Sequence, residues 1–343
     1  MGVALKDILV IRNIELDFLE NKILFLDAYN ILYQFLTTIR GMDGSLLTDS
    51  KGNVTSHLVG LLSRVTNLME RNIKLVFVFD GKPPELKQKT SEIRHLSKIE
   101  AEKKFLEAKE HDDKEAMKKY ASRTTRLTKE IVDEAKEMIS LLGIPVIQAP
   151  SEGEAQAAYM VSKGDGFAVG SQDFDSLING ATKLVRNLSI TGKRKKGRVI
   201  GYGIVKPEII DLAENLNNLG MDRNQLIVLA MIIGTDYNPG GIKGIGPKNA
   251  IKFVKKHKTD FSALFDELKW KDYFDFSWEE VYNQIKNMPV TDDYNLKWSN
   301  PDKEKLLQLL VHDHDFSEER VLKTLEKLSK ENPNKQQKSL ADF

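Results

Sequence analysis

The sequence predicts an α/β fold, with a mixed, mostly parallel central sheet flanked by helices. Residues 23–27 and 75–80 are short apolar runs that each end in an aspartate, as is typical of buried parallel strands. Residues 57–69, which lie between them, have helical spacing. Such alternation favours parallel strands joined by helices, and the sites of such sheets lie outside the carboxyl ends of the strands.

The later elements continue this pattern and then depart from it. Residues 131–142 have the spacing of an amphipathic helix, and residues 143–147 and 167–170 are the next predicted strands. Residues 82–129 alternate in charge and contain few large apolar residues, which predicts exposed helices, although an ordinary solvated helix face has the same pattern. Past Pro207 the pattern is wholly helical, with a Gly-rich interruption at residues 240–246.

These changes divide the chain into three predicted parts. Residues 1–216 form the core and include the exposed helices at about 82–130. Residues 217–328 form a helical region that contains the Gly-rich turn at 240–248. Residues 329–343 are polar and Lys-rich, which predicts a disordered tail.

Composition excludes several classes of protein. The chain has no cysteine, which rules out disulfides, thiolate zinc sites and cysteine nucleophiles. No run approaches the roughly 18 apolar residues of a membrane span, and the N-terminus lacks the pattern of a signal peptide. We therefore expect an intracellular protein, in the cytoplasm or nucleoid if archaeal and in the nucleus if eukaryotic. The formal net charge of +1 gives no hint of a polyanionic partner.

Acidic residues in strand-end or helix-end positions predict a metal site. Two pairs, Glu152 with Glu154 and Asp173 with Asp175, place carboxylates two residues apart in loop-like segments. Several like charges in one crevice repel, and a divalent cation relieves that repulsion. Oxygen-only ligands suit Mg²⁺ or Mn²⁺, and two ions about 4 Å apart would suit phosphodiester displacement. The candidate ligands are Asp27, Asp80, Glu152, Glu154, Asp173, Asp175 and Asp236.

Each acid also has an ordinary structural explanation. Residues 151–154 fit a helix capping box, in which Glu154 would bind the backbone of Ser151. Asp27 and Asp80 fit turn residues at strand ends, and Asp236 fits a cap of the next turn. Their joint placement favours the metal site over these separate explanations.

Basic residues form two candidate phosphate-binding elements. The acid-free run that contains Lys193 and Arg194 is centred on Thr191 and Gly192, which we interpret as a hairpin turn; it fits a solvated edge or a phosphate contact.

In the second element, residues 240–250, Gly244 and Gly246 would let a backbone approach phosphate closely. A helix that starts at Pro247 would leave amide groups facing an anion, with Lys248 beside them. This turn resembles that of helix-hairpin-helix modules, which bind duplex backbone, and it also fits an ordinary helix connection.

Three further residues lie close to the acids in the sequence. Lys87 and Arg94 are seven residues apart, so on a helix they would share one face above the acidic crevice. Cations there would stabilise charge on a scissile phosphate, although both residues also fit ordinary surface charges. Tyr33 fits either a stacking platform for a base or a core residue.

Taken together, the chain resembles the flap endonuclease family of 5′ nucleases, particularly the archaeal type. The similarity spans nearly the whole length and includes the glycine turn. The strings that carry it are Met1-Gly2-Val3, Phe79-Asp80-Gly81-Lys82-Pro83-Pro84, Pro150-Ser151-Glu152-Gly153-Glu154-Ala155-Gln156, Ser171-Gln172-Asp173-Phe174-Asp175-Ser176 and Gly234-Thr235-Asp236-Tyr237.

The resemblance implies roles for these residues. It implies a PIN-like nuclease core at 1–216 in which all seven acids bind two Mg²⁺ ions, with Mn²⁺ as a substitute. Lys87 and Arg94 would be catalytic cations on a helical arch, residues 82–130, and Tyr33 would stack near the scissile nucleotide. Residues 46–61, including Thr55 and Ser56, would hold a one-nucleotide 3′ flap. Residues 217–328 would bind DNA through a helix-two-turn-helix element, with a candidate monovalent cation at the glycine turn.

The implied activity is Mg²⁺-dependent hydrolysis of 5′ flaps, with 5′-3′ exonuclease activity, in Okazaki fragment maturation and DNA repair. The products would carry 5′-phosphate and 3′-hydroxyl ends, and the enzyme alone would be monomeric. The tail residues Gln337, Leu340 and Phe343 fit a peptide that binds a sliding clamp of the PCNA type, although many family members carry a second aromatic residue there.

Two rival functions remain open. One is a related nuclease that prefers nicked, bubble or four-way junction DNA or acts as a processive exonuclease. The other is an inactive junction-binding or clamp-adaptor protein.

Overall fold

The structure is a computed structural model that describes residues 3–41, 43–111, 113, 116, 120, 125–188, 192–195 and 202–330. Within these ranges, only the backbone is described at residues 88–95, 97, 98, 109, 192–195, 202–204, 329 and 330.

A seven-stranded sheet forms the centre of the molecule, in the order β1-β9-β6-β5-β2-β3-β4. Strands β2 to β6 pair in parallel, whereas β9 is antiparallel to both β6 and β1. The prediction of a mixed, mostly parallel sheet is therefore confirmed. The strands of this sheet are β1 Arg12–Asn13, β2 Ile23–Asp27, β3 Lys74–Phe79, β4 Val146–Gln148, β5 Ala168–Gly170, β6 Lys183–Arg186 and β9 Glu208–Asp211.

The prediction of a wholly helical pattern past Pro207 is wrong, because β9 follows directly. This strand has four residues with acids at both ends, so it is too short and too polar to show an apolar alternation. The predicted turn at Gly192 is also wrong. Gly192 begins β7, Gly192–Lys195, and pairs with Val205 at the end of β8, Tyr202–Val205.

Helices cover both faces of the sheet. In chain order they are α1 Ala28–Thr38, α2 Ser56–Gly60, α3 Thr66–Glu70, α4 Gln88–Glu110, α5 Lys129–Leu141, α6 Gly153–Lys163, α7 Asp175–Ile178, α8 Leu212–Leu219, α9 Arg223–Ile233, α10 Pro247–His257, α11 Phe261–Glu267, α12 Trp278–Lys286, α13 Lys303–Leu307 and α14 Glu318–Lys330. A π-helix, Leu61–Val65, joins α2 to α3, and another, Gln308–Asp313, follows α13.

Two hydrophobic cores form because side chains alternate along each strand. Phe25 of β2 faces the first core with α6 to α12, whereas Leu24 and Leu26 face the second core with α1, α2, α3, α5, α13 and α14. Both cores draw on residues from each side of position 216. The division of the chain at that position therefore stays a prediction about function.

Residues 82–129 are predicted to form exposed helices, and the part of this segment that the structure describes includes one long helix with exposed apolar side chains. The 23-residue helix α4 follows a 3₁₀ turn, Glu85–Lys87. Its small residues Ala101 and Ala108 are buried, whereas Leu96, Ile99 and Leu106 are exposed. Among the described residues, no helix has the length and apolar character needed to cross a membrane.

Two glycines with similar backbone angles give a test of the packing at the edge of the second core. Gly143 has a φ of +77°, and a Cβ there would lie 2.1 Å from the carbonyl oxygen of Ser299; Gly164 has a φ of +94° and open space around it. Gly164→Ala should lower the free energy of unfolding by about 1 kcal/mol through its backbone angle alone, and Gly143→Ala by roughly 3 kcal/mol or more. Urea unfolding of both variants measures the difference, and equal losses would contradict the Ser299 contact.

Candidate active site

Two of the predicted acids lie at the carboxyl ends of neighbouring strands. Asp27 ends β2 and caps α1, because its Oδ1 accepts a hydrogen bond of 3.0 Å from the Asn30 amide. Its Oδ2 accepts from the Ser171 hydroxyl at 3.2 Å, and the residue is only 8% exposed. Asp80 follows β3 and accepts from the Gly153 amide at 2.6 Å. Asp27 therefore acts as a local cap and also lies at the predicted edge.

The start of α6 brings the next pair to the same edge. Glu152 is the N-cap residue and Glu154 lies in the first turn. The capping-box explanation is wrong, because α6 begins after Glu152 and the Ser151 hydroxyl donates to the Lys82 carbonyl at 3.1 Å. A Cβ at Gly153 would lie 2.9 Å from Asp80 Oδ1, so glycine allows α6 to approach β3 this closely.

A short loop after β5 carries the third pair. The Asn30 side-chain amide donates to Asp173 Oδ2 at 2.9 Å, and the Val3 amide donates to Asp175 Oδ1 at 3.0 Å. The loop itself is held by Arg186, whose Nε donates to the Gln172 carbonyl at 3.0 Å. Helix α1, the N-terminal segment and β6 thus all fix these two carboxylates.

Lys87 lies among the acids. Its ammonium is 2.5 Å from Glu152 Oε2 and 3.5 Å from Asp236 Oδ2, which follows α9. Burial alone would lower the pKa of Lys87, but the charges of Glu152, Glu154 and Asp236 raise it well above its usual range. Lys87 therefore stays protonated at neutral pH. Arg94 lies on α4, and its side chain is outside the described residues.

The cluster is strongly self-repelling. Burial first, and then the charges of Asp80 and Asp173, raise the pKa of Asp27 to about 7. Burial and the charge of Glu152 raise the pKa of Asp80 to about 6.

Two more carboxyls have raised pKa values. Burial, followed by Asp173 and Asp236, raises the pKa of Asp175 to about 7. Burial, followed by Asp175, Asp27 and Glu152, raises the pKa of Glu154 well above its usual range. Each of the seven predicted acids therefore interacts electrostatically with at least one other of them.

The donor set fits a hard divalent cation, since it consists of buried carboxylate oxygens whose mutual repulsion a cation would relieve. As the side chains stand, no group of three or more histidines or acids among the described residues is close enough to hold an ion. Electrostatic repulsion acts over several ångströms, whereas metal ligands must all lie within about 2–3 Å of one point. The raised pKa values and the absence of a close group of ligands in the described part of the chain are therefore compatible. Ion binding would require the carboxylates to turn towards a shared point.

Sequence reasoning missed three residues around the acids. Asn30 and Ser171 hydrogen-bond to Asp173 and Asp27, respectively, and both lie within a few positions of an acid in the sequence. Tyr237 is buried beside the cluster, where burial and then the charges of Glu152 and Glu154 raise its pKa. Its position next to Asp236 was the only available signal.

The predicted 3′-flap residues are buried. Ser56 is 0% exposed, and its hydroxyl accepts from the Leu47 amide at 2.9 Å. Thr55 is also buried, and its amide donates to the Leu47 carbonyl at 2.7 Å. Both residues therefore hold the segment around Leu47. In this conformation the Ser56 side chain is not accessible to DNA. Tyr33 is half-buried on α1.

The glycine turn has an open helix start. Helix α10 begins at Pro247, Gly246 is its N-cap, and no side chain caps it. Gly244 has a φ of +86°, and a Cβ at Gly244 or Gly246 would meet nothing within 4 Å. Lys248 is exposed beside this surface. The predicted helix start at Pro247 is confirmed, and open space surrounds the glycines that precede it.

The side chains of the other predicted site residues lie outside the described part of the chain. Lys193 and Arg194 lie on β7, where the structure describes only the backbone. The tail residues Gln337, Leu340 and Phe343 lie outside the described residues.

Comparisons with known proteins give the family. Residues 1–101 match the XPG N-terminal domain and residues 143–236 match the XPG I-region. Flap endonuclease 1 of Thermofilum pendens is 51% identical over 332 residues, which are 96% of this chain and 95% of that protein. The chain belongs to the flap endonuclease family. Flap endonuclease 1 of Pyrococcus furiosus is also 51% identical, over 330 residues that cover 96% of this chain and 95% of the relative.

Solved structures agree with this family. Flap endonuclease-1 from Methanococcus jannaschii is 41% identical, has a TM-score of 0.77 and is covered completely by 97% of this chain. The catalytic core of Rad2 in complex with DNA substrate is 25% identical, with a TM-score of 0.70 over 96% of this chain and 100% of that chain. The resemblance found in the sequence is therefore confirmed. All the candidate acids and Lys87 lie within the two segments that match the XPG regions.

The raised pKa values predict an unusual pH dependence of stability for the metal-free protein. The folded state binds protons at Asp27, Asp80 and Asp175 more tightly than an unfolded chain, in which a carboxyl has its ordinary value of 3.8. Stability should therefore fall as the pH rises from about 4 to 7, by about 1.4 kcal/mol per pH unit for each proton retained.

Urea unfolding in the presence of a chelator, at intervals from pH 5 to pH 8, measures this slope. Asp27→Asn should make the slope shallower, since an amide does not titrate and Asp80 and Asp175 remain. Equal slopes in the two proteins would contradict the assignment of a raised pKa to Asp27.

Proposed function

We propose that this protein is a metal-dependent flap endonuclease that hydrolyses a phosphodiester bond where single-stranded and double-stranded DNA meet. The observation that carries this proposal is the gathering of buried carboxylates around Lys87 at the carboxyl edge of the sheet. Family membership supports a DNA-cleaving activity. The proposed roles are replication, in Okazaki fragment maturation, and DNA repair.

The carboxylates are the proposed ligands of two Mg²⁺ ions, for which Mn²⁺ can substitute. When bound, such ions activate water and stabilise the entering and leaving oxygens of a phosphodiester. The protein holds the ligands through hydrogen bonds to the backbone amides of Asn30, Gly153 and Val3. The ligands are Asp27, Asp80, Glu152, Glu154, Asp173, Asp175 and Asp236.

Lys87 is proposed to stabilise charge on the scissile phosphate. Its raised pKa keeps the ammonium protonated, and its contacts with Glu152 and Asp236 place it at the cluster. Cations preorganised at a site of developing negative charge lower the barrier. Arg94 on α4 is proposed to add a second cation. The proposed products carry 5′-phosphate and 3′-hydroxyl ends, and the same chemistry at a free end gives 5′-3′ exonuclease activity.

The glycine turn is the proposed binding site for one duplex arm of the DNA. The open space around Gly244 and Gly246 and the positive end of α10 suit backbone phosphates. A monovalent cation is also proposed at the glycine turn. Contacts with backbone phosphates carry no base sequence, so selectivity would come from the shape of branched DNA. The Rad2 core, crystallised with DNA substrate, supports a DNA-binding role for this fold.

Further DNA contacts are proposed from the family resemblance. Tyr33 is the proposed stacking residue, and Lys193 and Arg194 on β7 are proposed phosphate contacts. Thr55 and Ser56 would shape the 3′-flap site by holding Leu47, because both are buried. The helical arch, residues 82–130, is proposed to admit the free 5′ strand.

The tail is the proposed attachment to a sliding clamp. A short helical turn would place Leu340 and Phe343 in one apolar pocket, with Gln337 hydrogen-bonded beside them. The enzyme by itself, without the clamp, is proposed to be monomeric.

Removal of one central acid tests the catalytic assignment. Asp173→Ala should abolish cleavage of a 5′ flap with Mg²⁺ while junction binding is largely retained, because the change removes a proposed ligand and leaves the DNA-binding elements intact. Product mapping on flap, bubble and four-way substrates, with and without Mg²⁺, measures both activity and preference. Asp266→Ala, at an exposed acid of α11, is the control and should cleave normally. Full turnover by Asp173→Ala would refute the assignment.

The salt dependence of binding tests the glycine turn. Lys248→Ala should reduce the slope of log affinity against log salt by about 0.9, as expected for the loss of one phosphate contact. Lys256 on the same helix is the matched control, because its ammonium is already paired with Glu267 at 2.6 Å. Fluorescence anisotropy on a nicked duplex at several salt concentrations measures both slopes. An unchanged slope for Lys248→Ala would remove this residue from the proposed interface.

Clamp stimulation tests the tail. Phe343→Ala should abolish the increase in flap cleavage that added clamp gives, with basal cleavage unchanged, because it removes an apolar anchor. Lys338→Ala, between the motif positions, should retain stimulation. The assay compares initial rates with and without clamp, and equal stimulation of both variants would exclude the motif as the tether.

A further inference from the structure

A segment far from the acids in sequence crosses the molecule beside α6. This crossing segment, residues 288–302, leaves α12 on the first face of the sheet and enters α13 on the second. At its far end the Trp298 indole donates to the Leu75 carbonyl at 2.8 Å, and the Ser299 amide donates to the Gly143 carbonyl at 3.1 Å. The segment is therefore anchored to the sheet where β3 and β4 begin.

The same segment is joined to α6 by a pair of partly buried hydrogen bonds. The Gln156 side-chain amide donates to the Thr291 carbonyl at 2.8 Å, and the Thr291 amide donates to Gln156 Oε1 at 2.8 Å. Gln156 is 0% exposed and lies two residues after Glu154. The buried side-chain amide of Gln156 therefore satisfies both the backbone N–H and the backbone C=O of Thr291, as a paired β-strand would.

Two more residues extend this contact along one face of α6. The Tyr159 hydroxyl lies 2.9 Å from Asp292 Oδ1, and the Lys163 ammonium lies 2.6 Å from the same oxygen. Residues 156, 159 and 163 share one helical face. These two contacts are exposed, so the partly buried Gln156 pair is the strongest link between α6 and the crossing segment.

Small side chains form the start of the packing face of α6. Ala155, Ala157 and Ala158 are buried in the first core, and the larger Met160 and Val161 follow further along the helix. The start of the helix also carries Glu152 and Glu154, which must stay close to other carboxylates that repel them. Hydrogen bonds hold the helix against this repulsion: the Gly153 amide donates to Asp80 at the helix start, and the Gln156 pair with Thr291 holds the same turn to the crossing segment.

We propose that Gln156 is a positioning residue: its paired hydrogen bonds with Thr291 fix the axial position of α6 and so hold Glu152 and Glu154 at the cluster. This inference rests on the proposed function for its catalytic consequence. The crossing segment also follows α12, which is tied to α9 by a hydrogen bond of 2.9 Å between Tyr282 and Asn224. The crossing segment and α12 thus link α6, which carries Glu154, to α9, which precedes the glycine turn.

Two variants weaken the pair from opposite sides. Gln156→Met keeps the length of the side chain and loses both hydrogen bonds, whereas Thr291→Pro removes the amide donor, and so one of the two bonds, without changing α6. Each should lower kcat for flap cleavage by about tenfold, corresponding to 1.36 kcal/mol, with KM for DNA unchanged. Each should also weaken Mn²⁺ binding to the DNA-free protein, measured by titration calorimetry. The double variant should be no worse than Gln156→Met, because that single variant already removes both hydrogen bonds.

Tyr159→Phe is the matched control, since it removes an exposed hydrogen bond to the same segment one turn later. It should keep kcat and Mn²⁺ affinity within about twofold, in line with the small value of exposed polar contacts. Circular dichroism and thermal unfolding establish the folded fraction of every variant. Both kcat and Mn²⁺ affinity are then expressed per folded molecule.

The outcomes separate this inference from the proposed function. If folded Gln156→Met and Thr291→Pro retain wild-type kcat and Mn²⁺ affinity, Gln156 is not a positioning residue. If the wild type binds Mn²⁺ without cutting flaps, the proposed function fails, and the calorimetry alone still decides the role of Gln156. If the wild type binds no Mn²⁺, both are overturned.

Discussion

Repulsion among buried carboxylates is the constraint on which the rest of this structure depends. Desolvation and like charges both disfavour ionisation at Asp27, Asp80, Glu154 and Asp175, so the native state tolerates the cluster only because other groups offset it. Backbone amides donate to several of the acids, and Lys87 supplies a cation among them. The two cores on opposite faces of the sheet supply the remaining stability that keeps these charges together.

The parallel sheet explains why acids so distant in sequence meet. Parallel strands present their carboxyl ends at one edge, and short helices that start there direct further acids to the same place. The sequence predicted this part of the fold because β2 and β3 are continuous apolar runs. It did not predict β1 or β9, since an edge strand of two residues and a four-residue strand with acidic ends lack a readable alternation. Their pairing depends on tertiary contacts.

The candidate site was predictable to a similar degree. Strand-end position identified the acids, and the Pro247 helix start was readable from the Gly-Pro pair. The position of Lys87 between Glu152 and Asp236 was not, because the first of those contacts spans 65 residues of sequence. The bond from Val3 to Asp175 spans 172 residues and has no local signal at all. Propensity and spacing report neighbours along the chain, whereas these contacts are set by how the elements pack.

The passage of the chain from one face of the sheet to the other has a consequence for biosynthesis. The second core begins with α1, yet Leu306, Leu310 and Val321 belong to it and come from the last part of the described chain. A core that closes through such distant partners forms late, because chain closure over long separations is slow. On the ribosome, α3 therefore remains without its contact to α14 until nearly all of the described chain has emerged. Assistance by a holding chaperone would matter most during that interval.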